Sequence, residues 1–226
     1  KNGGKFCFNE NVKDFNTNEN KICEVLTNKN RYKIKPNEVI ISTLPISITS
    51  RLLGKKNNLK FRGVCSVYLF YDIKEILPKN HHWLYFDSEK LLFNRITENK
   101  KLSKFVAPKN KSYLTAEITY SQGDKFSKLS GNEVIRIVKD QIGLTGLVDN
   151  KKLIDASINY EPYVYPVQFS DYKNEVVRVK SFVESFDNLF SIGAGGEFNY
   201  ADSQILFHKS FDLVNSLINR NTDFIN

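Results

Sequence analysis

The sequence is poor in several residue types that mark particular classes of protein. It has no methionine, one tryptophan, three cysteines and six prolines among 226 residues. No stretch approaches the run of about 18 apolar residues that a transmembrane helix requires, so no membrane span is predicted. A chain that lacks an initiator methionine and opens within a strand-like segment is expected to be a piece of a longer protein. Its length permits a substantial hydrophobic core.

The few cysteines argue against two kinds of stabilising site. Cys7, Cys23 and Cys65 are odd in number, lack Cys-x-x-Cys spacing, and each lies in an apolar, strand-like run. Neither a disulfide framework nor a zinc site is predicted from them. We expect three buried, reduced thiols in a cytoplasmic protein, and no metal site.

The charge balance is basic but not concentrated. Lysine and arginine number 33 against 25 acidic residues, giving a net charge of +8, and only seven of the cations are arginine. A basic surface can attract nucleic acid or an anionic membrane. The densest lysine stretch, residues 100–111, is interrupted by Phe105, Val106 and Pro108. The scattered lysines therefore favour a solvated surface over a dedicated nucleic-acid site.

Hydrophobic periodicity predicts a mixed α/β or α+β fold. Apolar and β-branched runs predict strands at residues 5–8, 22–27, 39–41, 61–71, 82–86, 91–96, 112–120, 154–160 and 188–192. Helical spacing predicts helices at 46–53, 132–142 and 172–186, and a long amphipathic helix after Asp202. Polar clusters predict turns at 15–20 and 28–30. The continuous apolar run 39–41 predicts a strand buried on both faces.

The segment after residue 188 combines a strand, a glycine-rich loop and a helix that Asp202 can cap. Helix-start N–H groups and glycines that admit a close ligand suit an anion or the polar edge of a ring. The loop, Gly193-Ala-Gly-Gly, is not the Gly-x-Gly-x-x-Gly dinucleotide fingerprint. An ordinary tight turn followed by a capped helix explains the pattern equally well.

Four short motifs, in order, resemble a known family of flavoproteins. Gly193-Ala-Gly-Gly with Phe198, Tyr200, Asp202 and Gln204 resembles the C-terminal flavin-contacting signature of the UDP-galactopyranose mutase-like enzymes, relatives of amine oxidases and protoporphyrinogen oxidases. The strand and Pro45 at 39–45 resemble the family's "VI-T-P" segment, 93–100 its "TRI-E-K" segment, and Tyr165-Pro166 with Tyr172 its "YP…Y" run. The resemblance covers about residues 5–218.

The resemblance implies the C-terminal portion of an FAD-dependent oxidoreductase or mutase. It implies segments of a Rossmann-like FAD domain at 1–45 and 171–226, and between them, at 46–170, a mixed-sheet substrate domain with flanking helices. The expected FAD contacts are Gly193, Gly195, Gly196, Asp202, Ser203 and Gln204. The expected contacts of a nucleotide-sugar substrate are Arg95, Trp83, Tyr85 and Tyr200. No catalytic residue is assigned.

Each substrate residue also has a structural alternative. Arg95 can clamp a diphosphate bidentately, or it can form an ion pair with an acid such as Glu98 or Glu117. Trp83 and Tyr85 can stack on a uracil or a flavin, or pack in the core. Tyr200 can donate to a phosphate, or be a core tyrosine.

One departure from the family pattern opens a second interpretation of the function. Ala194 stands where the mutase-like signature has an arginine. In the first interpretation the chain is half of a cytoplasmic flavoenzyme of nucleotide-sugar and polysaccharide metabolism. It would be inactive by itself and able to form a homo-oligomer when whole. In the second interpretation it is a non-catalytic module that binds a partner or an anion.

Overall fold

The computed structural model describes residues 3–222, which form two compact units. Unit 1 comprises the described residues up to Lys60 and from Pro166 onward, and unit 2 is the continuous segment Phe61–Tyr165. The mixed α/β class predicted from the sequence is confirmed. The strands are β1 (Val12–Asn18), β2 (Lys21–Thr27), β3 (Arg31–Lys33), β4 (Ile40–Ser42), β5 (Phe61–Tyr71), β6 (Trp83–Tyr85), β7 (Arg95–Thr97), β8 (Ser112–Tyr120), β9 (Leu153–Pro166) and β10 (Leu189–Ser191). The α-helices are α1 (Ile46–Leu52), α2 (Asn99–Leu102), α3 (Gly131–Leu144), α4 (Tyr172–Glu184), α5 (Gly193–Gly196) and α6 (Ser203–Thr222).

Unit 1 contains two small sheets. Strands β1, β2 and β3 form an antiparallel meander, and β4 pairs with β10 in parallel, with Ile40 opposite Leu189. Helix α4 packs on α1 and on β10, and buries Val179 and Val183 completely. Asn188 ties the meander to the parallel pair, since its side chain accepts from the Ile22 N–H and donates to the Ile22 carbonyl, both at 2.9 Å.

Unit 2 is built on one five-stranded sheet in the order β6-β7-β8-β5-β9. The strands β5 and β8 are antiparallel over nine pairs, from Gly63–Tyr120 to Tyr71–Ser112. Alternate residues of β5, such as Cys65, Val67 and Leu69, are fully buried on one face, because side chains along a strand point to opposite sides. Helix α3 covers that face, and the side chains of β5 on the other face are more exposed.

Helix α3 begins one residue before and ends two residues after the helix predicted at 132–142. Its N-cap is Ser130, which forms a capping box with Glu133. Gly143 lies inside the helix, and the chain turns away at Gly146, which has a φ of +70°. Val134, Val138 and Ile142 face inward from this helix, and all three are fully buried.

Several predictions for the first forty residues are wrong. Residues 5–8 form no strand, and Phe6 and Phe8 are about four-fifths exposed, at 82% and 79%. The predicted turn at 15–20 is mostly strand β1; the turn is confined to Glu19 and Asn20. Polar side chains suit β1 because it is an edge strand with one solvated face.

Two predictions of burial also fail. Cys7 and Cys23 are exposed, and only Cys65 is buried, although all three are free thiols. Cys23 faces outward because its neighbour Ile22, 1% exposed, takes the inward position on β2. The strand predicted at 39–41 exists as β4 but is not buried on both faces, since Val39 and Ile41 are 45% and 43% exposed.

The unit borders differ from the borders predicted for the domains. The chain passes from unit 1 to unit 2 after Lys60 and returns at Pro166, whereas the family resemblance implied borders after residues 45 and 170. Helix α1 belongs to unit 1 because it packs on α4. The assignment of the units to FAD and substrate binding stays a prediction.

Residues 3–222 lack two kinds of feature. Within that range no helix is both long and apolar enough to cross a membrane. The same residues hold no group of three or more metal-ligating side chains.

Candidate functional site

The more exposed face of the unit 2 sheet, which we call the open face, carries a row of polar and aromatic side chains. Strand register sets Tyr85 opposite Arg95, Arg95 opposite Glu117, and Glu117 opposite Ser66. Period-two alternation puts Trp83, two positions from Tyr85, on the same face. Three of the four predicted substrate residues, Trp83, Tyr85 and Arg95, therefore lie together.

Arg95 is held by two neighbours on this face. Its Nε and Nη2 atoms lie 2.8 and 2.5 Å from one oxygen, Oε2, of Glu117. Its Nη1 donates to the Tyr85 hydroxyl at 3.3 Å, and the guanidinium lies 5.8 Å from the centre of the Tyr85 ring. The ion pair with Glu117 is one of the two alternatives stated for Arg95, and Glu98 is not its partner.

The surroundings of Arg95 raise the pKa of its guanidinium and so favour its charged form. Partial burial alone would lower the pKa of Arg95, but the hydrogen bonds with Tyr85 and Glu117 and the negative charge of Glu117 outweigh burial and raise it. The Arg95 side chain stays one-third exposed, at 33%. A guanidinium has five N–H donors, so two of them, on Nη1 and Nη2, are not used by these neighbours.

The aromatic side chains on this face are accessible. Trp83 is 48% and Tyr85 68% exposed, so the core-packing alternative for them is wrong. Tyr113 lies between two further rings, 5.5 Å from Phe70 and 6.4 Å from Tyr68, measured between ring centres. Such rings can stack on a planar ligand group.

Sequence reasoning missed part of this face. Tyr68, Phe70 and Tyr113 were assigned to strands but not to the site. The signal was available for Tyr68 and Phe70, because β5 alternates them with the buried series Cys65, Val67 and Leu69. The strand partners of β7 could not be read from the sequence, so the position of Glu117 beside Arg95 was only one of two options.

The glycine-rich segment lies at the carboxyl end of the parallel pair in unit 1. Strand β10 leads into α5, and β4 leads through Pro45 into α1, which packs on α5. Ligands of open α/β sheets bind outside the carboxyl ends of parallel strands. The predicted loop is in part a single helical turn, α5. Two residues after this turn, Phe198 is in the left-handed region at φ +53°.

Glycine is favoured at the three positions of this segment for different physical reasons. A Cβ on Gly195 would lie 3.4 Å from the Pro45 Cα, and one on Gly196 would lie 3.0 Å from the Ser191 Oγ. Close packing inside unit 1 therefore accounts for these two. Gly193 has a φ of +91°, and a Cβ added to it would meet no described atom within 4 Å, so its backbone is open to a ligand.

The remaining predicted residues are at the start of α6. Asp202, Ser203 and Gln204 are exposed, and the N–H groups of Ile205 and Leu206 donate to the main-chain carbonyl of Asp202 at 3.0 and 3.3 Å. The carbonyl of Asp202, rather than its carboxylate, thus serves the first turn. The first N–H groups of a helix have no partner within it.

Tyr200 precedes this helix and is 71% exposed, which rules out the core-tyrosine alternative. Like the six predicted cofactor residues, it belongs to unit 1, whereas Arg95, Trp83 and Tyr85 belong to unit 2.

One buried polar atom helps to judge whether a flavin fits unit 1. Ser47, in the first turn of α1, is fully buried, and its Oγ has no hydrogen-bond partner among the described residues. A buried hydroxyl without a partner is uncommon and marks a place where another polar group can enter. The open backbone at Gly193 and the helix-start N–H groups of α6 are the other polar groups of unit 1 that suit a polar cofactor.

Comparison with known proteins identifies the fold. No family model matches the chain, and no curated protein matches its sequence. Among solved structures, a reduced UDP-galactopyranose mutase is similar with a TM-score of 0.63 at 17% identity, over 77% of this chain and 38% of that one. A putative protoporphyrinogen oxidase from Exiguobacterium sp. 255-15 is similar with a TM-score of 0.62 at 12% identity, over 81% and 41%. The chain has the fold of the matching part of these structures and spans about two-fifths of their length.

Proposed function

We propose that this chain is the C-terminal part of an FAD-dependent oxidoreductase or mutase that acts on a nucleotide-sugar. The observation that carries the proposal is the grouping of Trp83, Tyr85 and Arg95 on one open sheet face, within a fold shared with a UDP-galactopyranose mutase structure. These three residues are also the ones that the sequence motifs predicted for substrate binding in this unit.

In unit 1, the residues available to hold FAD are Gly193 and the start of α6, from Asp202 to Gln204. The open backbone at Gly193 admits a close ligand, and the first N–H groups of α6 favour negative charge. Gly195 and Gly196 shape the turn rather than contact the cofactor. When bound, FAD would supply the redox or nucleophilic chemistry of the reaction.

In unit 2, Arg95 binds the diphosphate of the substrate. Glu117 and Tyr85 fix the guanidinium plane and leave two N–H donors for a phosphate oxygen pair. Trp83 and Tyr85, both about half-exposed or more, stack on the base. Glu117 is thus a positioning residue, and Arg95 and the two rings are the binding groups.

Uncovered apolar surface in unit 1 supports the view that the rest of a flavin domain packs there. Val39 and Ile41 at β4, and Phe207 and Phe211 on α6, are between 43% and 67% exposed. A two-stranded parallel sheet is not stable by itself, because parallel sheets are buried on both faces. A cavity of about 570 Å³ beside β10, reaching Leu213 of α6, is a further surface for such a complement.

A second candidate function is a non-catalytic module that binds a partner or an anion. The observation in its favour is that Glu117 already neutralises Arg95, while Ala194 removes the arginine that the mutase-like signature carries. In this interpretation the pair is structural, and the protein holds no flavin.

The experiment uses protein expressed from the complete coding sequence. We expect a flavin absorbance spectrum in the purified protein. We also expect interconversion of UDP-galactopyranose and UDP-galactofuranose under reducing conditions, as proposed for a cytoplasmic enzyme. Arg95→Ala should raise the KM about tenfold to a hundredfold, because a charge-assisted contact is worth roughly 1.5–3 kcal/mol. Flavin content should not change.

The matched control is Arg136→Ala, which removes an exposed arginine of α3, on the covered side of the sheet. An unchanged KM in Arg95→Ala would remove Arg95 from the site. A complete protein without flavin would reject the flavoenzyme and favour the second candidate.

A further inference from the structure

A short lysine-rich segment of unit 2 is anchored unusually firmly at both ends. The Glu98 carboxylate is fully buried and accepts from the N–H groups of Ile76 and Leu77, at 3.0 and 2.7 Å, and from the Ser112 hydroxyl at 2.6 Å. It therefore joins the two ends of residues 98–112. We call residues 101–111 the basic–apolar loop.

The ammonium group of Lys100 also holds this loop closed. The Lys100 Nζ donates to the carbonyl oxygens of Pro108 and Lys109, both at 2.8 Å, and of Lys111 at 2.5 Å. Charge-assisted hydrogen bonds of this kind are among the stronger ones. Lys100 thus holds the loop closed through contacts made within the chain.

The fixed loop exposes large apolar side chains. Phe105 is 86% exposed, Leu102 59% and Val106 46%. Three such residues within five positions of the chain form an apolar projection, whereas exposed apolar residues are normally scattered singly on a protein surface. A phenylalanine held in water by a loop that is closed in this way indicates a partner that covers the ring.

The loop surrounds its apolar projection with positive charge. Five lysines and two glutamates line a cavity of about 430 Å³ beside Phe105. Of the glutamates, Glu98 is buried, and Glu75 pairs with Lys101 at 3.1 Å. Lys74, Lys104 and Lys109 are exposed, and no described carboxylate pairs with them.

We propose that the basic–apolar loop docks this protein onto an anionic lipid bilayer. Phe105, Leu102 and Val106 enter the boundary between headgroups and acyl chains, and the exposed lysines contact lipid phosphates. Apolar side chains flanked by lysines are the chemistry of interfacial membrane binding. The protein lies on the membrane and does not span it.

Nucleic acid fits this surface less well. Nucleic-acid sites pair aromatic platforms with cations that track a backbone, and arginine is their preferred side chain for phosphate. The basic–apolar loop contains no arginine. Leu102 and Val106 have no ring on which a base could stack, so they would stay exposed beside a nucleic acid.

The test is co-sedimentation of the protein with vesicles. We expect binding to phosphatidylcholine vesicles that contain about one-third phosphatidylglycerol, and little binding to pure phosphatidylcholine. Phe105→Ser should reduce binding at least tenfold, because an apolar ring no longer leaves water. The pair Lys104→Gln and Lys109→Gln should reduce binding about fivefold for each lysine.

Matched controls separate this surface from general stickiness. Leu144→Ser changes another apolar residue of unit 2, 85% exposed. The pair Lys125→Gln and Lys128→Gln removes two exposed lysines beyond the other end of β8. Both controls should bind like the parent protein.

Three results would overturn the proposal. One is equal binding to both kinds of vesicle. Another is an equal loss of binding in the control variants. The third is tighter binding to a random single-stranded oligonucleotide than to anionic vesicles, lost in the same loop variants, which would assign the surface to nucleic acid.

Discussion

Replacing Gly63 with alanine is expected to destabilise unit 2 through one specific contact. Gly63 pairs directly with Tyr120 across strands β5 and β8, and the tyrosine ring lies over it. An added Cβ would lie 2.5 Å from Cζ and 2.6 Å from Cε1 of that ring. The ring has no room to move, because it is 7% exposed and packs against Phe126 and Tyr160 at centre distances of 5.2 and 6.2 Å.

The size of the effect follows from two opposing contributions. Forcing a methyl group into a packed core costs about 1–3 kcal/mol. Alanine is otherwise better than glycine in a strand by about 0.5–1 kcal/mol, and the φ of Gly63 is not positive. The net loss in the free energy of unfolding should be about 0.5–2 kcal/mol, or a few degrees in Tm.

The only tryptophan of the chain makes the assay selective. Trp83 lies in unit 2, so its fluorescence in a urea titration reports the unfolding of that unit. Gly131→Ala is the matched control, since its Cβ would meet the nearest atom, Ile158 Cγ2, at 3.4 Å. We expect the control to change stability by much less than Gly63→Ala.

A second background decides whether the ring is the cause. In Tyr120→Leu the atoms that clash with the new Cβ are gone, so Gly63→Ala should there become neutral or stabilising. The two substitutions are therefore coupled, and a double-mutant cycle measures the coupling. The same loss of stability in both backgrounds would refute the reasoning and place the cost in the backbone.

Two further predictions concern ionisable groups. Burial raises the pKa of the Cys65 thiol to about 12, despite an opposing hydrogen bond with Tyr160. At pH 8 a thiol-reactive dye should therefore label Cys7 and Cys23 quickly and Cys65 only on unfolding. Rapid labelling of all three would contradict the fold of unit 2. Hydrogen bonds from Arg178 lower the pKa of Glu175 despite partial burial, so this carboxylate stabilises unit 1 above its unfolded pKa of about 4.3 and stops doing so as the pH falls through its lower folded value. Glu175→Gln should flatten the acid side of the stability curve measured by circular dichroism, and an unchanged curve would show that the pair contributes nothing.

The sheet of unit 2 could be predicted because its strands carry strong local signals. Strands β5 and β8 alternate buried and open residues over most of their length, and the predicted spans match the observed ones. In the first forty residues local signals mislead. The apolar Phe6 and Phe8 suggest a strand, yet no described strand pairs with them, and the polar β1 is a strand because β2 pairs with it.

The candidate site was predictable in its residues but not in its connections. Trp83, Tyr85 and Arg95 were chosen from a family resemblance, and strand pairing then brought them together. The partner of Arg95 depends on which strand lies beside β7, which is a long-range property. The reason for Gly195 depends on Pro45, some 150 residues earlier in the chain, so no local pattern could separate packing from ligand binding.

The parallel pairing of β4 with β10 has a consequence for the order in which the two units fold during synthesis. Every residue of unit 2 is translated before Leu189, the partner of Ile40. Unit 2 can fold as a contiguous, mostly antiparallel unit, while β4 waits as an unpaired apolar edge, the kind of surface on which nascent chains misassociate. Closing unit 1 across such a long separation is the slow step expected from its contact order. The inserted unit thus sets how long the nascent chain is vulnerable.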